Sequence, residues 1–387
     1  GMATALARRG AAALARWRGM CSSSASAPAA GRAAALSSEE LMRMERDCSA
    51  HSYHPIPMVF SKGEGSHIVD PEGNKYIDFL SAYSAVNQGH CHPKVLRALI
   101  EQAERLTLSS RAFYNDKFPI FAEYLTSMFG YDMMLPMNTG AEGVETAIKL
   151  ARKWGYEKKQ IPKNQSMEIG FVVFYLNLSK VKLRDLCSKH NILMIADEIQ
   201  TGIARTGKML ACDWENIRPD MQILGKALGA GVVPVSAVLA DKDVMLCIRP
   251  GEHGSTFGGN PLASAVAVAS LKQLQKVQQK FPQIIREVRG RGLLNAVDLN
   301  NDALSPASAY DICIKLKERG ILAKPTHDTI IRLAPPLSIS PEELAEASKA
   351  LSDVLEHDLP QMQKQIKKPE SEAEKPVCDR CGRDLYG

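Results

Sequence analysis

Helical patterns alternate with short apolar segments between about residues 94 and 270, and this alternation constrains the fold more than any other feature of the sequence. Such alternation is typical of a parallel sheet covered by helices. A smaller region follows, with a strand-like Ile330–Leu333 and a helix that begins at Ser340-Pro341-Glu342-Glu343. The sequence therefore predicts an α/β protein with a large, mainly parallel sheet flanked by helices and a smaller α+β C-terminal domain.

The 387 residues are enough for two or three domains. Composition divides the chain into five expected parts. They are an arginine-rich leader at 1–36, an N-terminal segment at 37–83, a large α/β domain at 84–265, a small C-terminal domain at 266–366 and a charged tail at 367–387.

The leader at 1–36 contains five arginines and no acidic residue. Its Ala, Arg and Ser content is typical of an organellar transit peptide, and its dense arginine favours the mitochondrial matrix; a disordered alanine-rich tail is the alternative. Of the 48 Lys and Arg residues, 43 remain outside the leader against 43 Asp and Glu, so the body is neutral. Charge therefore gives no reason to expect nucleic acid. No apolar run reaches the roughly 18 residues of a membrane helix, so we expect no membrane span.

Two cysteine-containing motifs resemble metal sites. Gly89-His90-Cys91-His92-Pro93 places its ligands too close in the chain to share one tetrahedral ion, and we interpret it as a turn before a helix. Cys378 and Cys381 form a C-x-x-C without a second pair nearby, which favours free or redox-labile thiols over a zinc shared between two tails. We therefore predict no metal in this protein.

The segment Asn138–Gly143 is rich in small residues, follows the apolar Met133–Leu135 and opens a helix. A loop of this kind presents free N–H groups and the positive end of the helix dipole, which suits a phosphate. Taken alone, the segment is equally compatible with an ordinary helix cap.

Two further segments place reactive side chains near strand ends. Ile192–Glu198 is an apolar run that ends in Asp197 and Glu198, one of which could bind a metal, a ribose hydroxyl or a ring nitrogen, or cap a helix. Ile223–Gly229 places Lys226 among apolar residues and glycines. Desolvation there would lower the pKa of the lysine and make its neutral amine nucleophilic, whereas a surface lysine is the alternative.

Together, the three segments describe one ligand. It has a phosphate, a ring nitrogen that needs an anionic partner, and an aldehyde that condenses with an amine. Pyridoxal 5'-phosphate meets all three demands.

The same segments carry a resemblance to a known family. Those that resemble the fold-type I aminotransferases of the class III (ω-amino acid) branch are Asn138-Thr-Gly-Ala-Glu142, Ala196-Asp-Glu-Ile-Gln-Thr-Gly202, Leu224-Gly-Lys-Ala-Leu-Gly229 and Gly254-Ser-Thr-Phe-Gly-Gly-Asn-Pro261. Two more, Ser81–His90 and Leu322–His327, resemble the ornithine-using members of this branch in plant mitochondria. The similarity covers about residues 37–165 and 181–386.

The resemblance implies cofactor-binding roles for the matching positions. Lys226 would hold the cofactor as an imine and later move protons, and Asp197 would keep the ring nitrogen protonated. Gln200 would hydrogen-bond the phenolic oxygen of the ring. Gly140 and Ala141 would bind the phosphate through their backbone N–H groups.

It also implies a partner subunit and two substrates. Ser255 and Thr256 would reach the phosphate bound by the other subunit, so we expect a homodimer or a higher homo-oligomer. Arg332 would bind the α-carboxylate of 2-oxoglutarate or glutamate, and Tyr53 and Tyr83 would shape the ornithine end of the site.

The implied reaction transfers the δ-amino group of L-ornithine to 2-oxoglutarate. The products are glutamate and glutamate 5-semialdehyde, which cyclises to pyrroline-5-carboxylate. Acetylornithine and 4-aminobutyrate aminotransferases are alternatives within the branch, although the region around Tyr83 differs in them. An inactive relic of the enzyme and a nucleotide-binding α/β protein are alternatives from other classes, the last being weakest because no G-x-G-x-x-G opens the domain.

The sequence departs from the family pattern between Lys163 and Val181. The family has a much longer segment there, which holds several strands, the aromatic residue that stacks on the cofactor ring, and a glutamate that pairs with the substrate arginine. This chain has one apolar run at 165–178, long enough for a single strand, and a shorter loss near Lys272-Gln273. We therefore expect the fold to persist in outline, with weak cofactor binding and slow turnover.

Overall fold

The computed structural model describes residues 36–162, 171–174, 180–269, 290–291, 293–299, 304–326 and 329–365. They fall into two compact units. The first holds the chain through Ser61 together with Val69–Asn74, and the second holds Lys62–Ile68 and the chain from Lys75 onward. Nearly all of the predicted transit peptide and all of the charged tail with Cys378 and Cys381 lie outside the described residues, and the five predicted domain boundaries stay predictions.

The strands carry the labels β1 (Lys62–Glu64), β2 (His67–Val69), β3 (Lys75–Asp78), β4 (Met133–Met137), β5 (Phe171–Phe174), β6 (Leu193–Asp197), β7 (Met221–Leu224), β8 (Ser236–Ala240), β9 (Gly290–Arg291), β10 (Leu294–Asp298), β11 (Ile321–Leu322), β12 (Lys324–Thr326) and β13 (Ile330–Leu333).

The helices are α1 (Ser38–Cys48), α2 (Pro93–Ala103), α3 (Phe118–Phe129), α4 (Gly140–Glu157), α5 (Lys180–Lys189), α6 (Lys242–Met245), α7 (Ala309–Glu318), α8 (Pro341–Asp353) and α9 (Leu359–Gln365). Residues 261–269 are also helical. No helix in the described part of the chain is long and apolar enough to cross a membrane.

In the first unit, α1 begins at a capping box. The Ser37 hydroxyl accepts a hydrogen bond from the Glu40 N–H, and the Glu40 carboxylate accepts one from the Ser37 N–H. This pairing satisfies two N–H groups that a helix start leaves open. Ser38 donates to Glu72 from its N–H (2.7 Å) and its hydroxyl (2.5 Å), which ties the start of α1 to the turn before β3.

The second unit is built on a five-stranded sheet with the order β4-β8-β7-β6-β5. Strands β5, β6 and β7 are parallel, whereas β8 is antiparallel to both of its neighbours, β7 and β4. Four strands therefore run in one direction and one in the other. The predicted α/β fold with a mainly parallel sheet is confirmed.

Helices cover both faces of this sheet, which explains why its strands are continuous apolar runs. On one face Met194, Leu224 and Leu239 pack with residues of α3, and on the other Ile195 and Ile223 pack with α4. Burial of this kind contributes about 25 cal/mol per Å² of apolar surface. Polar side chains at the strand ends therefore stand out as candidates for a function.

Two smaller sheets complete the second unit. One has the order β1-β2-β3-β11, with β3 and β11 parallel, and the other has the order β12-β13-β10-β9 with antiparallel pairs. The predicted helix after Ser340 is α8, which begins with a capping box between Ser340 and Glu343. These sheets position the segments after β3 and along β13 that contribute to the site.

Candidate active site

The carboxyl end of β6 presents two neighbouring carboxylates that the structure uses differently. Both oxygens of buried Glu198 are engaged, one by the Cys212 N–H (2.8 Å) and the other by the Thr201 hydroxyl. Asp197 accepts only the Ile199 N–H (3.1 Å), through Oδ1, from the described residues. Glu198 therefore stabilises the following turn, whereas Asp197 keeps an oxygen for a ligand.

Lys226 follows the neighbouring strand, β7, and is partly buried. Burial lowers the pKa of its amine below the ordinary value; the carboxylate of Asp197 opposes this shift, and the charge of Arg332 adds to it. Both charged groups therefore lie close enough to Lys226 to act on its charge. A lowered pKa leaves more of the amine neutral, and the neutral amine is the nucleophilic form.

The predicted phosphate loop is the N-terminus of α4. Thr139 caps the helix in a capping box with Glu142, so the cap occupies the Glu142 N–H. The N–H groups of Gly140 and Ala141 have no acceptor among the described residues. Two such groups at the positive end of an 18-residue helix can bind a phosphate.

One side chain connects this loop to the lysine. A Cβ atom on Gly140 would lie 2.9 Å from Cδ1 of Ile199, and a Cβ on Gly225 would lie 3.2 Å from Cγ2 of the same residue. Both glycines therefore let their backbones pack against Ile199, which follows Asp197. As a result, the phosphate loop, the strand end with Asp197 and the segment with Lys226 meet around Ile199.

The remaining cofactor residues lie on loops near this point. Ser255 accepts a hydrogen bond from Asn138 Nδ2 (2.7 Å) of the same chain, which places it beside the phosphate loop. Thr256 is exposed, and Gln200 is partly buried in the turn after β6. Their roles toward the ring oxygen and the partner's phosphate stay predictions.

Arg332 and Tyr83, the residues predicted to bind substrate, lie beside each other. Arg332 lies on β13, and its guanidinium carbon is 5.6 Å from the centroid of the Tyr83 ring. This distance is within the range of a cation–π contact. No carboxylate among the described residues forms an ion pair with Arg332. The predicted residue Tyr53 belongs to the first unit, where its side chain is 79% exposed.

The residues present fit the phosphate, the ring nitrogen and the aldehyde of pyridoxal phosphate. Gly140 and Ala141 offer the N–H groups, Asp197 offers an anionic oxygen, and Lys226 offers an amine with a lowered pKa. The stacking aromatic residue and the glutamate expected for Arg332 belong to the segment that the sequence lacks between Lys163 and Val181. The described residues thus include those predicted to bind the aldehyde and the phosphate of the cofactor.

Sequence analysis missed several residues that support this site. Gln88 donates from Nε2 to the carbonyl of Ala227 (2.9 Å), next to Lys226. Arg205 is completely buried between segments far apart in the chain. No local signal reveals such residues, because their partners are distant in sequence.

The histidines of the motif at 89–93 have structural partners. His90 Nε2 lies 2.7 Å from Asp78 Oδ2, and His92 accepts a hydrogen bond from the Lys94 N–H at the start of α2. No group of three or more His, Cys, Asp or Glu residues in the described ranges could hold a metal ion.

Comparison with known families gives two matching segments. A family model described as Aminotransferase class-III matches residues 48–175 and 168–355. The two matches meet at 168–175, within the stretch where the sequence departs from the family pattern.

Comparison with individual proteins agrees. The chain is 70% identical to a protein of Oryza sativa subsp. japonica named "Ornithine aminotransferase, mitochondrial", over 475 positions that cover 100% of both chains. Since this chain has 387 residues, about 88 of the 475 aligned positions are gaps in this chain.

Two solved structures are similar over most of the chain. The Plasmodium falciparum ornithine delta-aminotransferase is 40% identical, with a TM-score of 0.75 and coverage of 84% of this chain and 100% of that one. An acetylornithine aminotransferase from Elizabethkingia anophelis is 46% identical, with a TM-score of 0.75 and coverage of 83% and 99%.

Proposed function

The chain belongs to the class-III aminotransferases, and we propose that it transfers the δ-amino group of L-ornithine to 2-oxoglutarate. The observation that carries this proposal is the Arg332–Tyr83 pair, whose charge acts on Lys226. A site for a substrate with an α-carboxylate needs such an arginine at one end and the reactive amine at the other. The relative from rice, named for ornithine, supports the same substrate.

Pyridoxal phosphate, when bound, supplies an aldehyde that condenses with amines and a ring that accepts electrons from a substrate C–H bond. Gly140 and Ala141 would bind its phosphate, Asp197 would pair with its ring nitrogen, and Gln200 would hydrogen-bond its phenolic oxygen. Because the pKa of Lys226 is lowered, its Nζ is available in the neutral form to take the proton that leaves Cδ of ornithine and to carry it away from that carbon. The second half of the reaction uses the same amine at Cα of the glutamate being formed.

Arg332 binds the α-carboxylate of the acceptor. A guanidinium can donate two parallel hydrogen bonds to a carboxylate, which fixes the orientation of 2-oxoglutarate. Tyr83, whose ring lies beside this guanidinium, limits the space at the ornithine end. The products are glutamate and glutamate 5-semialdehyde, which cyclises to pyrroline-5-carboxylate.

The direct test of this function measures turnover and the role of Lys226. Purified protein loaded with pyridoxal phosphate should convert ornithine and 2-oxoglutarate to glutamate, and Lys226→Ala should lower turnover by at least about 10²- to 10⁴-fold, because the proton carrier is lost. Lys242→Ala, which changes an exposed lysine on α6, is the matched control and should leave the rate unchanged. Faster turnover of N-acetylornithine or 4-aminobutyrate than of ornithine would contradict the proposed substrate.

The active protein in this proposal is a homodimer or a larger homo-oligomer. Exposed aromatic side chains lie on two loops, Phe113 and Tyr114 on one and Phe257 on the other. Asn115 joins these loops by donating from Nδ2 to the carbonyl of Gly259 (3.2 Å). Exposed aromatic residues are typical of interface cores, and Thr256, beside Phe257, is equally exposed.

A mixing experiment tests the shared site. Lys226→Ala and Thr256→Ala each weaken or abolish activity alone. If Thr256 serves the partner's phosphate, co-expression of the two variants creates mixed dimers with one intact site and restores activity. Co-expression that restores nothing beyond the Thr256→Ala activity would contradict this arrangement.

The location proposed for the protein is the mitochondrial matrix. The acid-free, arginine-rich leader at 1–36 and the mitochondrial name of the rice relative support it. Fusion of residues 1–36 to a fluorescent protein should direct it to mitochondria, and a diffuse signal would contradict the proposal.

A further inference from the structure

Among the described residues of the second unit, Arg205 is the largest completely buried side chain, and its hydrogen-bond partners there are all neutral. Its Nε donates to Asn87 Oδ1 (3.0 Å), and one terminal nitrogen donates to the same oxygen. The other terminal nitrogen donates to the carbonyls of Leu293 (3.1 Å) and Pro335 (2.5 Å). Burial lowers the pKa of this guanidinium to about 9, with the charge of Asp78 opposing the shift.

A buried arginine of this kind lowers the stability of the fold, so we expect it to be kept for the positions at which it holds its partners. A buried charge without an ionic partner is costly even when its hydrogen bonds are made, and an apolar side chain could fill the same space. The partners of Arg205 are therefore the informative part of the arrangement.

Asn87 ties Arg205 to the segment that carries Tyr83. Its Nδ2 donates to the carbonyl of Ile203 (3.1 Å), and its own carbonyl accepts the Leu337 N–H (2.8 Å). The Asn87 side chain thus joins the turn after Tyr83 to the segment of Arg205. The backbone carbonyl of Asn87, which accepts the Leu337 N–H, also joins that turn to the chain after β13.

Pro335 ties Arg205 to the strand that carries Arg332. Pro335, whose carbonyl accepts from Arg205, lies two residues after the end of β13. Ala334, which comes between, donates its N–H to the carbonyl of Phe79 (2.7 Å). The segments that carry Tyr83 and Arg332 are therefore both hydrogen-bonded to the guanidinium of Arg205. A planar fork of donors can hold both at fixed positions, whereas a lysine has no such fork.

We propose that Arg205 is a positioning residue for substrate recognition, which sets the distance between Tyr83 and Arg332 by holding Asn87 and Pro335 at once. This inference rests on the proposed function, because it assigns Arg332 to the acceptor carboxylate. Arg205 acts through these residues and has no contact with the reacting atoms in this proposal.

The test compares Arg205→Lys with the unmodified full chain, both loaded with pyridoxal phosphate. A displacement of about 1 Å at a recognition residue can cost up to about 100-fold. We expect the KM for 2-oxoglutarate to rise about tenfold or more, with kcat at saturating substrate and the absorbance of bound cofactor nearly unchanged. Single-turnover titration of the same proteins, loaded instead with pyridoxamine phosphate, with 2-oxoglutarate should show the same loss of affinity. Arg218→Lys, which removes a hydrogen-bonded arginine beside Gly130 and Asp241, is the matched control and should change neither value.

A double-mutant cycle separates positioning from general stabilisation. If Arg205 acts through Arg332, adding Arg205→Lys to Arg332→Lys should raise the KM little further. Multiplying effects would overturn the proposal, as would an Arg205→Lys variant whose melting temperature falls while its affinity for 2-oxoglutarate is unchanged.

A second pair of variants covers the case in which Arg205→Lys does not fold. Asn87→Ala should raise the KM for 2-oxoglutarate, and Asn87→Asp, which keeps an acceptor for Arg205, should restore most of the affinity. Equal values for the two variants would overturn the proposal. If the unmodified protein, loaded with pyridoxamine phosphate, does not react with 2-oxoglutarate, the proposed function itself is contradicted, and this inference with it.

Discussion

Gln222 is a polar residue whose neighbours on the adjacent strands are apolar. It lies in the middle of β7, completely buried, and pairs in register with Ala196 of β6 and Leu239 of β8, both of which belong to an apolar cluster. Neither atom of its amide has a hydrogen-bond partner in the part of the chain that the structure describes. Each unsatisfied buried polar group costs about 1–3 kcal/mol. Gln222→Met, which keeps the length of the side chain, should therefore raise the free energy of unfolding by about 1–3 kcal/mol in urea titrations.

Gln88 provides the matched control for this change. It is also buried, but its Nε2 donates to the carbonyl of Ala227. Gln88→Met removes this hydrogen bond, although the Ala227 carbonyl keeps the Ala230 N–H as a donor (3.1 Å), and should lower the free energy of unfolding by about 0.5–1.5 kcal/mol. Loss of stability in both variants would show that Gln222 has a polar partner in solution, most simply a buried water.

At the scale of the element, the turn at Ser81–Ser84 stores backbone strain beside the substrate. All four residues have positive φ values, from 47° to 75°, although each carries a side chain. The left-handed region costs roughly 1–2 kcal/mol per such residue, and Asp78 offsets part of this by accepting the N–H groups of Leu80 (2.8 Å) and Ser81 (3.0 Å). Ala82 is exposed, so Ala82→Gly removes strain without removing packing and should raise the melting temperature, by a net stabilisation of about 0.5–1 kcal/mol.

Ala345 offers the opposite case, because it is exposed in the middle of right-handed α8. Ala345→Gly should lower stability by about 0.5–1 kcal/mol. Equal losses in the two glycine variants would contradict strain at Ala82.

The elements also show which parts of the fold a sequence can predict. The starts of α4 and α8 were predictable because a capping residue and its glutamate, such as Thr139 with Glu142, lie within one turn. Asp197 and Lys226 were predictable because each ends or follows an apolar strand. The left-handed turn was not, because local preference opposes it and the Asn87–Leu337 contact beside it comes from distant residues. The same reason hid Arg205.

At the scale of the whole molecule, this chain is shorter than its alignment with the rice relative. The central sheet ends at β5 in the described strand order, and about 88 positions of the 475-position rice alignment are empty in this chain of 387 residues. Ring stacking by an aromatic contributes roughly 0.5–1.5 kcal/mol, and ladder hydrogen bonds about 1 kcal/mol each. Domains are stable by only about 5–15 kcal/mol, so the absence of strands from such a sheet would amount to much of the total.

Restoring the missing segment should therefore change both stability and function. We expect a chain that carries the rice relative's residues between Lys163 and Val181 to melt at a higher temperature. It should also bind pyridoxal phosphate more tightly and turn over ornithine far faster, because it regains the stacking aromatic and a glutamate for Arg332. A glycine-serine insert of equal length is the control, and it should restore none of these properties.

Because Lys226, Asp197 and the N–H groups of Gly140 and Ala141 are retained, the unmodified chain should still bind the cofactor. Borohydride reduction should then attach the cofactor to Lys226, which is measured by its absorbance. Equal turnover of the unmodified and restored chains would show that residues 165–180 replace the lost aromatic and glutamate.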